Sequence, residues 1–593
     1  MSYTMEKPRS LVSKEYAYDA FKNKQVLLNK KKNHLPAMGW NSWNAFGSGN
    51  TAALTRAMAD KMVELELDKL GYEYIVLDDG CYKPERVDGK LSNEEGKFPE
   101  GFRALADYIH AKGLKFGMYN DIGTNLCAGA AVGTCGHEDV DAQSYIDWGV
   151  DFLKVDNCYY LWDNATFSAA TNAKYVYTPN VKEVRVVGEN FEQKFSAVKD
   201  GKLTGLGCRV KEDYVTNIGT FDGTNVGTTP VGPRSGELEF TVNAPAQGEY
   251  QVYVTYATGE EPGVGSWLQL AVGEELFYDD FLPATENKET FRESDGIKVT
   301  LTAGENRLRV MNHRRQENTL NSYATLLEGL NQADPNHDVM FSICEWGKTQ
   351  PQNWGYKVGD SWRILNDITF CVGADGNPGR GTWFDMGTAS VTSQYDKAVV
   401  MDEFAGLDKG WNDPDMLMIG MDGLDDTMCR THMAMWCMMN SPLMLGLDLR
   451  RVEKGDALWQ IISNKELIAL NQDALGIQAK RVFTTIETDA PDTDYITNHD
   501  RCDILAKPLA DGSVAVCFIN VNDKAWETEL GISAEKIVAM LGNKMVNAEA
   551  FKNAASYEVK DLWTGEKTEN KDGNFKVGKL APCESVTIRV RAL

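Results

Sequence analysis

Carboxylates, a lysine and an arginine recur where short apolar runs end. Ile75-Val76-Leu77 runs into Asp78 and Asp79, and Lys115-Phe116-Gly117-Met118 into Tyr119 and then Asp121. Phe152-Leu153 leads to Lys154, Asp156 and Asn157, and Met340-Phe341-Ser342-Ile343 to Cys344, Glu345 and Trp346. Arg363-Ile364-Leu365 leads to Asn366 and Asp367, and Trp411 to Asp413 and Asp415. Lys154 lies two residues before Asp156, so on a strand both side chains leave the same face. An ammonium there favours the ionised carboxylate that a nucleophile must be. Two carboxyls, one attacking and one donating a proton, are what glycoside hydrolysis needs. Each residue also has a plainer use. Asp78-Asp79-Gly80 is good turn chemistry. Asp367 fits an exposed strand end, Trp43 fits a core, and Lys154-Asp156 fits a surface ion pair. Arg363, four residues before Asp367, would lower the pKa of an acid that has to stay protonated.

The elements that must carry these residues alternate. Residues 52–70 have helical periodicity and end at Gly71; 74–77 form an apolar strand; Pro99 and Gly113 bracket a helix. Strand 114–119, helix 142–148 and strand 151–155 follow, and the alternation resumes at 339–343 and runs to about 482. Such units predict a parallel sheet, and functional side chains at successive strand ends favour a (β/α)8 barrel, whose active site sits at the C-terminal strand ends. Between the two halves, 235–242, 250–257, 267–272, 298–301 and 307–311 are strand-like without helical periodicity, a β-sandwich pattern. The tail is all-β as well, with strands at 513–519, 557–562 and 585–590. The predicted fold class is α/β. Residues 1–34 form an N-terminal extension. A TIM barrel at 35–160 and 318–482 is interrupted by an inserted β-sandwich at 161–317, and an antiparallel sandwich follows at 483–593.

A chain of 593 residues with 43% hydrophobic and 25% charged content is ordinary globular material. A formal charge of −25 argues against nucleic acid and anionic membrane as partners, and no apolar run reaches membrane-spanning length. The first 32 residues have no apolar leader core, which predicts a cytoplasmic protein, or a secreted one supplied in processed form. The twelve cysteines include no CxxC pair. The Gly129–Gly136 stretch follows a cysteine and not a strand-to-helix turn, so neither a metal nor a cofactor is expected.

Six segments together resemble glycoside hydrolase family 27, the α-galactosidases and α-N-acetylgalactosaminidases. They are Met38-Gly39-Trp40-Asn41-Ser42-Trp43, Leu77-Asp78-Asp79-Gly80, Lys154-Val155-Asp156-Asn157-Cys158, Ser342-Ile343-Cys344-Glu345-Trp346-Gly347, Trp362-Arg363 with Asp367, and Trp411-Asn412-Asp413-Pro414-Asp415-Met416. The resemblance covers the two barrel segments and not the insert. It implies a retaining exo-hydrolase for terminal α-galactose, with Asp156 as nucleophile and Asp367 as acid/base. By the same resemblance Asp78 and Asp79 take the sugar's hydroxyls and Trp43 packs on its ring. Arg363 binds substrate, and Tyr119, Lys154, Asp415 and Met416 complete the pocket. Cys344 and Trp346 surround the 2-hydroxyl and leave little room for a 2-acetamido group. β-L-Arabinopyranosidase and α-N-acetylgalactosaminidase are the alternatives, and an inactive carbohydrate-binding protein is a third. Galactose-containing oligosaccharides or glycoconjugates are the implied partners; the oligomeric state stays open.

Two departures stand out. Gly80 and Cys81 occupy positions where the family has Cys and Trp, so one family disulfide and a pocket-edge Trp are missing. Cys127 and Cys158 match the pair that flanks the family's site as a disulfide, or are thiols in a reducing compartment. The insert starts just after Asp156, replacing the loop after the nucleophile strand, so it belongs near the pocket rim. Its pattern, with Trp267, loosely resembles carbohydrate-binding modules.

Overall fold

The computed structural model describes residues 34–158, 178–204, 209–216, 218, 237–258, 266–312, 314–369, 371–384 and 389–593. Eight short parallel strands form one sheet: β1 (Met38–Asn41), β2 (Tyr74–Val76), β3 (Lys115–Asp121), β4 (Phe152–Asp156), β5 (Met340–Cys344), β6 (Ser361–Arg363), β7 (Trp411–Asp413) and β8 (Leu443–Leu445). Neighbours in sequence are neighbours in the sheet, and β8 returns to pair with β1. The chain leaving β7 makes a parallel bridge from Leu417 to Leu445, with the Leu417 N–H donating to Met444 O at 2.8 Å. That contact completes the ring.

Most strands are buried along their whole length, as expected when side chains fill the inside and helices cover the outside. Helices α1 (Ala52–Glu64), α2 (Gly101–His110), α3 (Glu138–Trp148), α4 (Arg314–Ala333), α5 (Val391–Ala398) and α6 (Asp426–Met438) supply much of the outer layer. Gly149 closes α3 at φ +76, where glycine avoids the left-handed penalty.

The sandwich is present between β4 and α4. One antiparallel sheet combines Glu275–Leu282, Ser266–Val272, Gly304–Met311, Glu237–Ala244 and Lys202–Thr204. The other is built on Asn180–Gly188 and Gly248–Ala257. Their facing valines, leucines and aromatics form a separate core. The last sandwich strand ends at Met311 and α4 starts at Arg314, a few residues before the expected return at 318. Trp267, part of the pattern that loosely resembles carbohydrate-binding modules, is buried. It is 1% exposed, belongs to the barrel's hydrophobic core, donates its indole N–H to Asp279 Oδ1 at 2.8 Å and meets Phe281 edge-on. It docks the insert on the barrel and has no face left for a sugar.

The C-terminal unit begins with Lys480–Thr484, inside the segment assigned to the barrel, and closes with Ser585–Ala592 in a six-stranded antiparallel sheet. It also carries a helix, Ala534–Leu541, where only strands were expected; Ser533 caps it by accepting from the Lys536 N–H. This unit is tied to α5 by a buried network. Asp396 takes Arg501 and His499 (2.9 Å), and Asp503 takes Arg501 (2.9 Å) and the Tyr395 hydroxyl (3.0 Å). Among the described residues, no helix is long and apolar enough to cross a membrane. The expected extension at 1–34 lies outside the described residues except for His34.

Candidate active site

The strand ends converge on one cleft of about 360 Å³. Its walls hold Trp43, Asp78, Asp79, Tyr119, Cys127, Lys154, Asp156, Trp346, Arg363, Asp367, Asp415 and Met416, together with Asn44. Of the substrate-binding residues expected from the sequence, only Cys344 is off the wall. It lies opposite Asp156 in the β4–β5 register, buried, with its Sγ 3.6 Å from an Arg363 nitrogen. Asn44 was not anticipated. It is buried with its amide nitrogen unpartnered, and the only sequence signal is its place beside Trp43. Among the described residues, every lining side chain belongs to the barrel and none to the insert.

Asp156 is the last residue of β4. Its Oδ2 accepts the Tyr119 hydroxyl at 2.9 Å, and its Oδ1 accepts the Asn157 N–H at 2.8 Å. Burial pushes its carboxyl up to about 6; Lys154 opposes that and Asp367 adds to it. Lys154 does not pair with Asp156, as its spacing suggested. Its ammonium donates to Asp78 Oδ2 at 2.8 Å, an oxygen that also accepts the Asn41 amide at 2.8 Å. The lysine therefore acts on Asp156 through space while fixing Asp78. Burial works against its charge, but the surrounding Asp78 and Asp415 hold its pKa well above the ordinary value.

Asp79 accepts the N–H groups of Gly80 (2.6 Å) and Ala128 (2.7 Å), and burial raises its carboxyl to about 6. Gly80 has φ +95, and a Cβ there would lie 2.7 Å from the Ser48 Cα. Only glycine fits, which accounts locally for the departure at this position. Arg363, 2% exposed, reaches Asp415 Oδ2 at 2.7 Å and Asp367 Oδ1 at 3.1 Å. Asp367 keeps 41% of its side chain open to the cleft. The flanking walls still desolvate it enough to raise its pKa, while Arg363 pulls the other way. Asp415 and Trp346 both sit at positive φ, +75 and +59. Left-handed backbone in non-glycine residues is costly and clusters where side-chain aim matters.

Cys127 and Cys158 form a disulfide with Cα atoms 5.2 Å apart. Together with Asp121 and Asp156 they place four potential metal-ligating atoms within 4.8 Å of one another. With both sulfurs in a disulfide there is no thiolate, and the set does not suit a soft metal.

Compared with known protein families, residues 35–176 and 315–473 match the model described as alpha galactosidase A. Residues 499–590 match the alpha galactosidase C-terminal beta sandwich domain. The chain belongs to the alpha galactosidase A family. The match skips residues 177–314, the bulk of the insert. Among curated relatives of the family, alpha-galactosidase A of Cellvibrio japonicus is 28% identical over 91% of this chain and 89% of its own length. The alpha-galactosidase of Cyamopsis tetragonoloba is 28% identical over 82% and 72%. Alpha-galactosidase I from Mortierella vinacea shares the fold with a TM-score of 0.59 at 21% identity, covering 95% of this chain and 98% of its own. A β-L-arabinopyranosidase from Geobacillus stearothermophilus also shares it, with a TM-score of 0.54 at 15% identity over 96% and 98%.

Proposed function

We propose that this protein hydrolyses terminal α-linked galactose with retention of configuration. Asp156 attacks the anomeric carbon to form a glycosyl-enzyme. Asp367 protonates the departing oxygen and then takes a proton from the water that cleaves the ester. The observation that carries this reading is the unequal setting of the two carboxyls. Asp156 is buried with both oxygens held by fixed donors. Asp367 faces the open cleft with its pKa raised. The first suits a group that must hold one position, and the second a group that meets leaving group and water in turn.

Asp78 and Asp79 receive the sugar's hydroxyls, and their locked geometry favours a ligand with neighbouring donors. Lys154 and Arg363 neutralise the pocket's acidic floor. Trp43 offers an aromatic face to the ring, and Trp346 crowds the position that the family gives to the 2-hydroxyl. A yeast α-galactosidase has been solved with raffinose, and a galactose-capped oligosaccharide of that kind is the substrate class proposed here.

The test compares p-nitrophenyl α-galactoside with the β-L-arabinopyranoside and the α-N-acetylgalactosaminide, and follows the first by NMR. The galactoside is expected to be cleaved fastest, with α-galactose appearing before its β-anomer. Initial release of the β-anomer would overturn the retaining mechanism, and preference for another glycoside would overturn the sugar.

A further inference from the structure

Asp121 has no role in the chemistry just described, yet it is wholly buried beside the nucleophile. In the β3–β4 ladder it stands directly opposite Asp156. The Cys127 sulfur sits between the two carboxylates, 3.3 Å from Asp156 Oδ2 and 4.0 Å from Asp121 Oδ2. Two buried carboxylates side by side repel each other, so the arrangement must be stabilised by something else. Both Asp121 oxygens are used. Oδ1 accepts the Gly123 N–H at 2.6 Å, and Oδ2 accepts the Cys158 N–H at 2.6 Å. The second bond reaches across strands to the main chain two residues beyond the nucleophile, just where it leaves the barrel for the insert. The disulfide anchors the same residue from the Cys127 side. A third tie runs from the Ile122 N–H to the Asp156 carbonyl at 2.9 Å.

The aim of the Asp156 carboxylate depends on this exit, because its Oδ1 is held by the N–H of Asn157, between Asp156 and Cys158. We propose that Asp121 is a positioning residue for the nucleophile: its carboxylate clamps the exit of β4 through the Cys158 N–H and so fixes the main chain that aims Asp156. Gly123 alone would explain a turn-forming aspartate within its own loop. It does not explain the bond to Cys158. A misaimed nucleophile loses rate without losing substrate, since the sugar is held by other residues, and displacement of about 1 Å can cost on the order of 10²-fold.

This inference rests on the assignment of Asp156 as nucleophile, and the experiment separates the two. An activated 2-fluoro galactoside that accumulates as glycosyl-enzyme is incubated with wild type, Asp121→Asn and Asp121→Ser, and labelling is followed by mass spectrometry. Failure to label Asp156 in the wild type would defeat the nucleophile assignment. If wild type is labelled, both folded variants are expected to label roughly 100-fold more slowly and to show a matching fall in kcat. KM should stay within about threefold, because substrate binding is untouched. The Cys158 amide should also lose hydrogen-exchange protection. Labelling at the wild-type rate in either folded variant overturns the proposal. So does failure of both variants to fold, which would assign Asp121 to the fold and not to the nucleophile.

Discussion

At the scale of single residues, the candidate site sets stability against activity. Asp156 is held in a setting that raises its carboxyl pKa to about 6, chiefly through burial. A raised carboxyl contributes stability that is full below its unfolded pKa and is lost as pH rises through the folded value. At neutral pH the ionised Asp156 carboxylate is therefore a destabilising group. Asp156→Asn is expected to lose roughly 10⁴-fold or more in turnover and at the same time to raise the melting temperature at pH 7. The gain should shrink below pH 4; activity within tenfold of wild type would contradict the assignment. Asp367→Ala should slow galactosides with poor leaving groups far more than activated aryl galactosides, since only the former need protonation. Equal loss on both substrate classes would point to another acid. Most of the cleft was legible in the sequence because its residues follow apolar runs. What escaped was partner choice. Spacing placed Lys154 and Asp156 on one face but could not reveal that Asp78, from a neighbouring part of the ring, offers the lysine a nearer oxygen. Nor could it show that Cys344 would end up behind Arg363.

At the scale of elements, the alternating pattern was enough to find β2, β3, β4 and β5 within a few residues, since period and capping are local properties, whereas the short strands β1 and β8 were not singled out. The sandwich strands Asn180–Gly188 and Glu275–Leu282 were missed, being mixed in polarity where one side is open. The helix Ala534–Leu541 was missed because it is short and lies among strands. The setting of Trp267 stayed open in the sequence for a related reason. An aromatic in a sandwich can face a ligand or a neighbouring domain, and sequence does not distinguish them. Here it is buried in the barrel's core. Trp267→Ala should cost about 3–5 kcal/mol, the usual range for emptying such a site. If that energy holds insert to barrel, the insert should melt separately in calorimetry, whereas one unchanged transition would mean that Trp267 contributes little to docking. Turnover of a small aryl galactoside should change little, since the described cleft is lined by barrel residues alone.

At the scale of the whole molecule, three units are packed together. The insert and the C-terminal sheet both meet the barrel through apolar surface, with Trp267 on the one side and Leu505, Ile519 and Leu562 on the other. The C-terminal seam adds buried charge, since Arg501 reaches Asp396 across it while also holding Asp503 of its own unit. The position of the insert bears on the order of events by which the chain finds its shape. Strands β4 and β5 lie side by side, paired from Phe152–Met340 to Asp156–Cys344, yet roughly 180 residues separate them along the chain. An unfolded loop of that length opposes the pairing, whereas a folded sandwich spans the same gap as a compact body. The ring is therefore expected to close late, after the sandwich has condensed. In refolding from denaturant, sandwich signals should return in an early phase and galactosidase activity in a slower one. During synthesis the first four strands would wait, with both edges open, until the second half of the ring emerges.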